Sequence, residues 1–309
     1  MVSFPAIQAT HLGKHYRGGV RALADVDLVV PRGTVFGLLG QNGAGKTTLI
    51  RILLDMIRPT EGRASILGFD CQDDSVEARA HVGYLPSSAN YYSYMTGHDM
   101  FDFVARGRGV QADSALLDDL LTRLDLDPER GIRTLSKGNQ QKVGLIAALL
   151  AKPEVVILDE PTSGLDPLMQ DVVLDIVREI AAEGRTVFFS SHILSEVERV
   201  CDHVAVLRAG RLVGSFDLAE QRRLAARIVT VRFAEAPAPS AFDGIAGARF
   251  LRTEAGRAVF EVREGFDALL KRLAQFTVLD IDAHEPTLED FFLSLYTDSA
   301  APAVSGGGS

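Results

Sequence analysis

Cysteine is scarce in this chain. Only Cys71 and Cys201 occur among the 309 residues, far apart and with no metal-ligand spacing around either. That argues against a disulfide framework or a structural zinc site, and it fits a reducing compartment in which both are small buried residues. Long apolar runs are missing too. The longest, residues 143–151, falls well short of the ~20 residues that cross a bilayer. No charged-then-apolar segment opens the chain, so a secretory signal is not expected. The expectation is a soluble, cytoplasmic protein that must borrow its spans from another chain if it works at a membrane. Positive charge is in deficit, with a formal net charge of -9. Broad nucleic-acid binding draws on basic surface, so no nucleic-acid partner is expected. No internal repeat is present.

Apolar residues make up 47% of the chain and charged residues 24%, enough for a sizeable core. The length suits one large domain and one small one. Over residues 1–225, short apolar runs alternate with helical patterns. Strands are expected at 7–12, 26–30, 34–39, 155–158 and 186–190, and Gly210 marks a hairpin between 204–207 and 211–214. Buried strands between helices predict an α/β domain with a largely parallel sheet. Residues 78–153 read as mostly helical, a subdomain inserted into that core. From about residue 226 to 298 the pattern becomes that of a small α+β domain. Strands are expected there at 228–233, 248–251, 258–263 and 277–281, with helices at 266–273 and 288–296. Residues 234–240 read as a Pro- and Ala-rich surface loop. Residues 299–309 end in SGGGS and read as a flexible tail.

Residues 40–47, GQNGAGKT, fit the G-x-x-x-x-G-K-[ST] phosphate loop. Gly40, Gly43 and Gly45 let the backbone turn tightly and aim several N–H groups at one centre. The helix that starts near Lys46 adds its positive dipole end. Lys46 is placed to reach the β- and γ-phosphates of a nucleotide, and the Thr47 hydroxyl to ligate Mg²⁺. Asn42 and Thr48 complete the candidate phosphate contacts. The loop follows the apolar run 35–39 and precedes a helical pattern over 48–57, the context the motif needs. Residues 155–160, VVILDE, form a buried strand ending in two acids. Asp159 is the candidate Mg²⁺ ligand. Glu160, one residue on, is the candidate general base for an attacking water.

Residues 135–141, LSKGNQQ, resemble the signature loop of the ATP-binding cassette (ABC) family, and they lie shortly before the acid-bearing strand as that family requires. By that resemblance the phosphate loop of one subunit and the signature loop of a second sandwich ATP, with Ser136 and Gly138 facing the γ-phosphate. By its residue types alone, Ser136 is equally a helix N-cap and Gly138 a turn glycine. In family order follow residues 163–166 (SGLD), which resemble the D-loop linking two nucleotide sites, and His192 at the position of the switch histidine. Tyr16 resembles the aromatic residue that stacks on adenine. The resemblance covers about residues 5–220. It departs at Ser87, where the family usually has Gln, or Glu in some exporters. Serine is shorter and uncharged, so coupling to a membrane partner is open there, with Asn90, Tyr91 and Tyr92 as substitutes. Lys137 and Asn139 also replace the commonest signature residues.

One cassette with a small C-terminal domain, ending in residues 286–293 (PTLEDFFL), is similar to ATPase subunits of bacterial drug- and antibiotic-type exporters. The same segment also reads as an amphipathic helix capped by Thr287 with Asp290 at its third position. The resemblance implies a P-loop NTPase core with a β-subdomain and a helical subdomain. It further implies a second copy or homologous ATPase subunit, and a permease of about six transmembrane helices at the inner face of the cell membrane. The expected function is ATP hydrolysis that energises an exporter. Two alternatives are a soluble ABC-type ATPase acting on a ribosome or other complex, and a cassette that binds ATP with little turnover.

Overall fold

The structure is a computed structural model. It describes residues 4–88, 94–110, 113–224, 227–254, 256–263 and 266–284. The expectations for Asn90, Tyr91 and Tyr92, for the helix at 288–296 and for the tail lie outside these residues. The chain packs as two units, Met1–Leu218 and Ala219–Ser309.

The first unit opens with an antiparallel pair, β1 (Ile7–His15) and β2 (Arg21–Val30), both longer than the sequence runs that announced them. Their apolar residues alternate, so one face is buried and the other solvated. The apolar strand β3 (Val35–Leu39) follows and leads through the phosphate loop into α1 (Lys46–Leu53). The helix stops four residues short of the expected 57. Asp55 takes a positive φ of 53°, and Met56 N–H turns back to the Arg51 carbonyl, which ends the regular ladder. Next come β4 (Glu61–Ile66), β5 (Phe69–Asp70), α2 (Ser75–Ala80) and β6 (Val82–Leu85).

β6 corrects the reading of residues 78–153 as mostly helical, for it is an edge strand of the parallel sheet. Four residues are too few to display a period. Gly83 within it lets α5 (Lys137–Leu149) come close, since a Cβ there would lie 2.0 Å from the Ala148 carbonyl oxygen. Between them run α3 (Gly97–Gly107) and α4 (Ser114–Arg123). Then follow β7 (Val155–Asp159), α6 (Pro167–Ala182), β8 (Thr186–Ser191), α7 (Leu194–Val200), β9 (His203–Arg208) and β10 (Arg211–Asp217).

Two sheets organise this unit. One is antiparallel, in the order β2-β1-β4-β5. The other runs β10-β9-β3-β8-β7-β6 and is parallel except for β10. Every residue of β3, β7 and β8 is buried, as a strand covered on both faces requires. α1 packs against β7 of one sheet and against β2 and β4 of the other, so a single core joins both. α6 and α7 cover the parallel sheet at β3 and β8. Cys201 is buried beside Gly37, where a Cβ would lie 2.8 Å from its sulfur. Burial pushes both thiols up, Cys71 to about 12. Both read as packing residues.

The second unit starts within α8 (Leu218–Leu224) and contains β11 (Arg227–Phe233), β12 (Ala248–Glu254), β13 (Arg257–Val262), α9 (Asp267–Leu273) and β14 (Val278–His284). Its sheet is antiparallel in the order β12-β13-β11-β14. Val229, Val231, Phe260 and Leu269 form its own core, with Phe242 edge-on to Phe260 at a centroid distance of 4.9 Å.

Candidate functional site

Parallel strands bring their C-terminal ends to one side of a sheet, and three of those ends build the site. β3 delivers the phosphate loop, β7 delivers Asp159 and Glu160, and β8 delivers Ser190, Ser191 and then His192. Gly40 N–H donates to the Ser191 carbonyl, which extends the β3–β8 pairing into the loop. Gly43 (φ 81°) and Gly45 (φ 112°) take backbone conformations that side chains resist. A Cβ on Gly45 would also lie 2.5 Å from the Ala22 carbonyl oxygen. Gly210 does more than turn the β9–β10 hairpin: its N–H donates to the Ala44 carbonyl, and its own carbonyl accepts from Ala24 N–H, so it fastens the loop to β2.

α1 begins at Lys46 with Gly45 as N-cap and no side chain capping it. Its first N–H groups and positive dipole end therefore face whatever the loop encloses. The Lys46 side chain is 5% exposed. It donates to the Gly40 carbonyl at 2.6 Å and pairs with Glu160 Oε1 at 3.2 Å. Glu160 Oε2 lies 3.5 Å from His192 Nδ1. Glu160 has φ 53°, which ends β7 and is rare outside glycine. Its N–H donates to Ser190, and its carbonyl accepts from the buried Gln141 amide at 3.2 Å.

Asp159 is fully buried and accepts from Thr47 Oγ1 at 2.9 Å and from Ser190 Oγ at 2.6 Å. A hydroxyl and a carboxylate side by side form a hard oxygen pair of the type Mg²⁺ takes, so these residues fit the metal. The uncapped α1 terminus with the buried Lys46 fits a phosphate. Burial raises the Tyr84 phenol to about 12; the negative charge on Asp159 adds to the rise and Arg51 opposes it. Asn42 and Gly43 are exposed at the tip of the loop, and Thr48 is half-buried in α1.

The other sequence-predicted residues gather elsewhere. Ser136 is the N-cap of α5, its Oγ accepting from Asn139 N–H at 3.2 Å. A Cβ on Gly138 would lie 2.7 Å from the Gly164 carbonyl oxygen, and Lys137 Nζ donates to Ser163 Oγ at 3.3 Å, so the signature and D-loop segments pack on each other. Among the described residues no hydrogen bond joins Ser136 or Gly138 to residues 40–48. Tyr16 is 39% exposed in the turn between β1 and β2, with Lys14 Nζ 5.4 Å from its ring centre. Ser87 is half-buried just past the end of β6. Ser190 and Gln141 were not singled out from sequence. The only sequence signal for Ser190 is its place opposite Asp159 on a neighbouring strand, which requires the strand order.

Residues 23–163 match the family described as ABC transporter. The bacitracin transport ATP-binding protein BcrA of Enterococcus faecalis is 32% identical over 222 residues, 71% of this chain and 72% of that protein. The chain belongs to the ABC transporter family. Within it the chain is an ATP-binding subunit of the ATPase kind, with a P-loop NTPase fold. An uncharacterised ABC transporter ATP-binding protein of a Synechocystis strain is 40% identical over 233 residues, 70% of this chain but 65% of that relative's length. Among solved structures, an ATP-binding subunit of an ABC transporter superposes with a TM-score of 0.65 at 31% identity, covering 71% of this chain and 92% of that one. No described helix of this ABC ATPase is long and apolar enough to cross a membrane.

Proposed function

We propose that this ABC ATPase hydrolyses ATP at the cluster of Lys46, Thr47, Asp159, Glu160 and His192 to drive a membrane exporter of drug, antibiotic, lipid or similar substrates. The carrying observation is that Glu160 lies between Lys46 and His192 at 3.2 and 3.5 Å. The phosphates of ATP would sit in the nest of residues 40–48, where they compete with Glu160 for the Lys46 ammonium. Thr47 and Asp159 would hold Mg²⁺, which neutralises phosphate charge when bound. A water oxygen then attacks the γ-phosphorus while the bond to the β,γ-bridging oxygen breaks. Glu160 takes the water proton, and ADP and phosphate leave. His192 steadies the Glu160 carboxylate and faces the γ-phosphate. Tyr16 would stack on adenine.

Ser136 and Gly138 would complete the site of a second copy or homologous subunit. Ser136 Oγ accepts from Asn139 N–H, and its own proton can donate to a phosphate. Closure of such a pair would move a permease of about six transmembrane helices, placing the chain at the cytoplasmic face of the membrane. The bacitracin transport function of BcrA supports the exporter reading. The test is to purify Glu160→Gln with MgATP from solubilised host membranes. A stoichiometric permease supports the reading. Recovery of ribosomes or soluble partners alone would favour the soluble ATPase, and wild type without turnover would favour the nucleotide-binding cassette.

A further inference from the structure

One buried carboxylate near the site has no part in the chemistry above. Glu196, in the first turn of α7, is 5% exposed. Its Oε1 accepts from Thr162 Oγ1 at 2.6 Å and its Oε2 from Ser191 Oγ at 2.5 Å. Both hydroxyls are themselves buried. Thr162 stands two residues beyond Glu160, and Ser191 directly precedes His192. Ser191 Oγ also accepts from Ile193 N–H at 2.9 Å, so the residues on either side of His192 share one hydroxyl. Among the described residues no cation pairs with Glu196. Burying a carboxylate without a counter-charge is costly, and the bonds from two buried hydroxyls offset part of that cost. Short, charge-assisted bonds of this kind fix geometry well.

We infer that Glu196 is a positioning residue that sets the separation of Glu160 and His192 by tying together the two chain segments that carry them. The contacts close a ring: Glu160 to Thr162 along the chain, Thr162 to Glu196, Glu196 to Ser191, Ser191 to His192 along the chain, and His192 back to Glu160. α7 anchors the carboxylate, because Val197 and Val200 are buried and α7 packs on β3 and β8. The pairing of β7 with β8 reaches as far as Glu160, whose N–H donates to Ser190, and does not hold Thr162. Glu196 supplies the missing cross-link there. It acts through His192 and touches no substrate.

The inference rests on the proposed roles of Glu160 and His192. The test is a double-mutant cycle on the full chain. It measures kcat and KM for ATP, nucleotide affinity and melting temperature for wild type, Glu160→Gln, His192→Ala, Glu196→Leu and the His192→Ala/Glu196→Leu pair. Thr162→Val and Ser191→Ala, each alone and with His192→Ala, run the same cycle with smaller changes, and they decide if Glu196→Leu fails to fold. The expected result is a kcat lowered about tenfold or more by Glu196→Leu, with ATP affinity unchanged and no further loss in the His192→Ala background. The hydroxyl variants should show part of that loss and the same non-additivity. Equal losses with and without His192 would overturn the inference, as would unchanged kcat. If Glu160→Gln turns over like wild type, the reading of the site fails instead.

Discussion

Two helix N-termini in this ATPase carry the same dipole and end differently. α1 starts at Gly45, in a left-handed conformation with no side chain on its first N–H groups. α5 starts at Ser136, in an extended conformation whose hydroxyl already serves Asn139 N–H. Around the first, Lys46 of α1 meets Glu160 and Asp159 at the end of β7. Around the second the chain brings its own D-loop segment, through Gly138 and Lys137, and no cation–carboxylate cluster among the described residues. An anion therefore finds donors, cation and acids together at α1, while α5 offers a dipole and one hydroxyl proton. The difference teaches that, under the proposed function, one terminus would serve as a site and the other as a contribution to a site that a second subunit completes.

The largest expected effects fall on the complete terminus. Lys46→Ala should abolish ATP binding by the isolated chain, measured with a fluorescent nucleotide. Glu160→Gln should retain binding and lower turnover by about 10²–10⁴-fold. Ser136→Ala sharpens the contrast. Under dilute conditions it should leave single-chain ATP affinity unchanged while reducing turnover at high protein concentration. Equal loss of affinity for Ser136→Ala and Lys46→Ala would break the comparison.

Stability gives a smaller, graded test. Gly45→Ala meets both a forbidden φ and the Ala22 carbonyl oxygen at 2.5 Å, and should cost roughly 1–3 kcal/mol. Gly138→Ala meets the Gly164 carbonyl at 2.7 Å and Leu165 at 3.3 Å without a forbidden φ, so its melting temperature should fall less.

The smallest effect extends the comparison to a terminus with an acid cap. In α3, Thr96 and Asp99 form a capping box, and the Thr96 N–H holds the Asp99 carboxyl below the usual carboxylate range. A depressed folded-state value means the stabilisation is present above the ordinary carboxylate range and is lost as pH falls through the folded value. Asp99→Asn should therefore flatten the acid limb of the melting curve slightly. The caps of α1 and α5 carry no acid and should contribute nothing to that limb.

The phosphate loop was legible because its function is local: glycine spacing, a lysine and a hydroxyl fix the nest within eight residues of sequence. The strands β3, β7 and β8 were legible because full burial makes them continuous apolar runs. Ser190 and Glu196 were not, because their partners Asp159, Thr162 and Ser191 are set by which strands are neighbours and by how α7 returns to the sheet. β6 was lost inside a helical stretch because Val82–Leu85 is too short to show alternation. The end of α1 was missed because Asp55 leaves the helix while the apolar pattern continues to Ile57. Gly210 shows in the sequence as a turn alone, since its bonds to Ala44 and Ala24 are made by backbone and leave no mark on side-chain pattern.

The close approach at Gly83 gives α5 a fulcrum. Ala148, near one end of the helix, rests on the β6 backbone, while Ser136 lies at the other end, about 18 Å away at 1.5 Å per residue. A rod held at one end magnifies rotation at the other. A tilt of about 10° at the fulcrum would swing the Ser136 hydroxyl by about 3 Å, the length of a hydrogen bond. β6 also carries Ser87 just past its end, so a push on that segment and the reach of the signature loop share one mechanical axis.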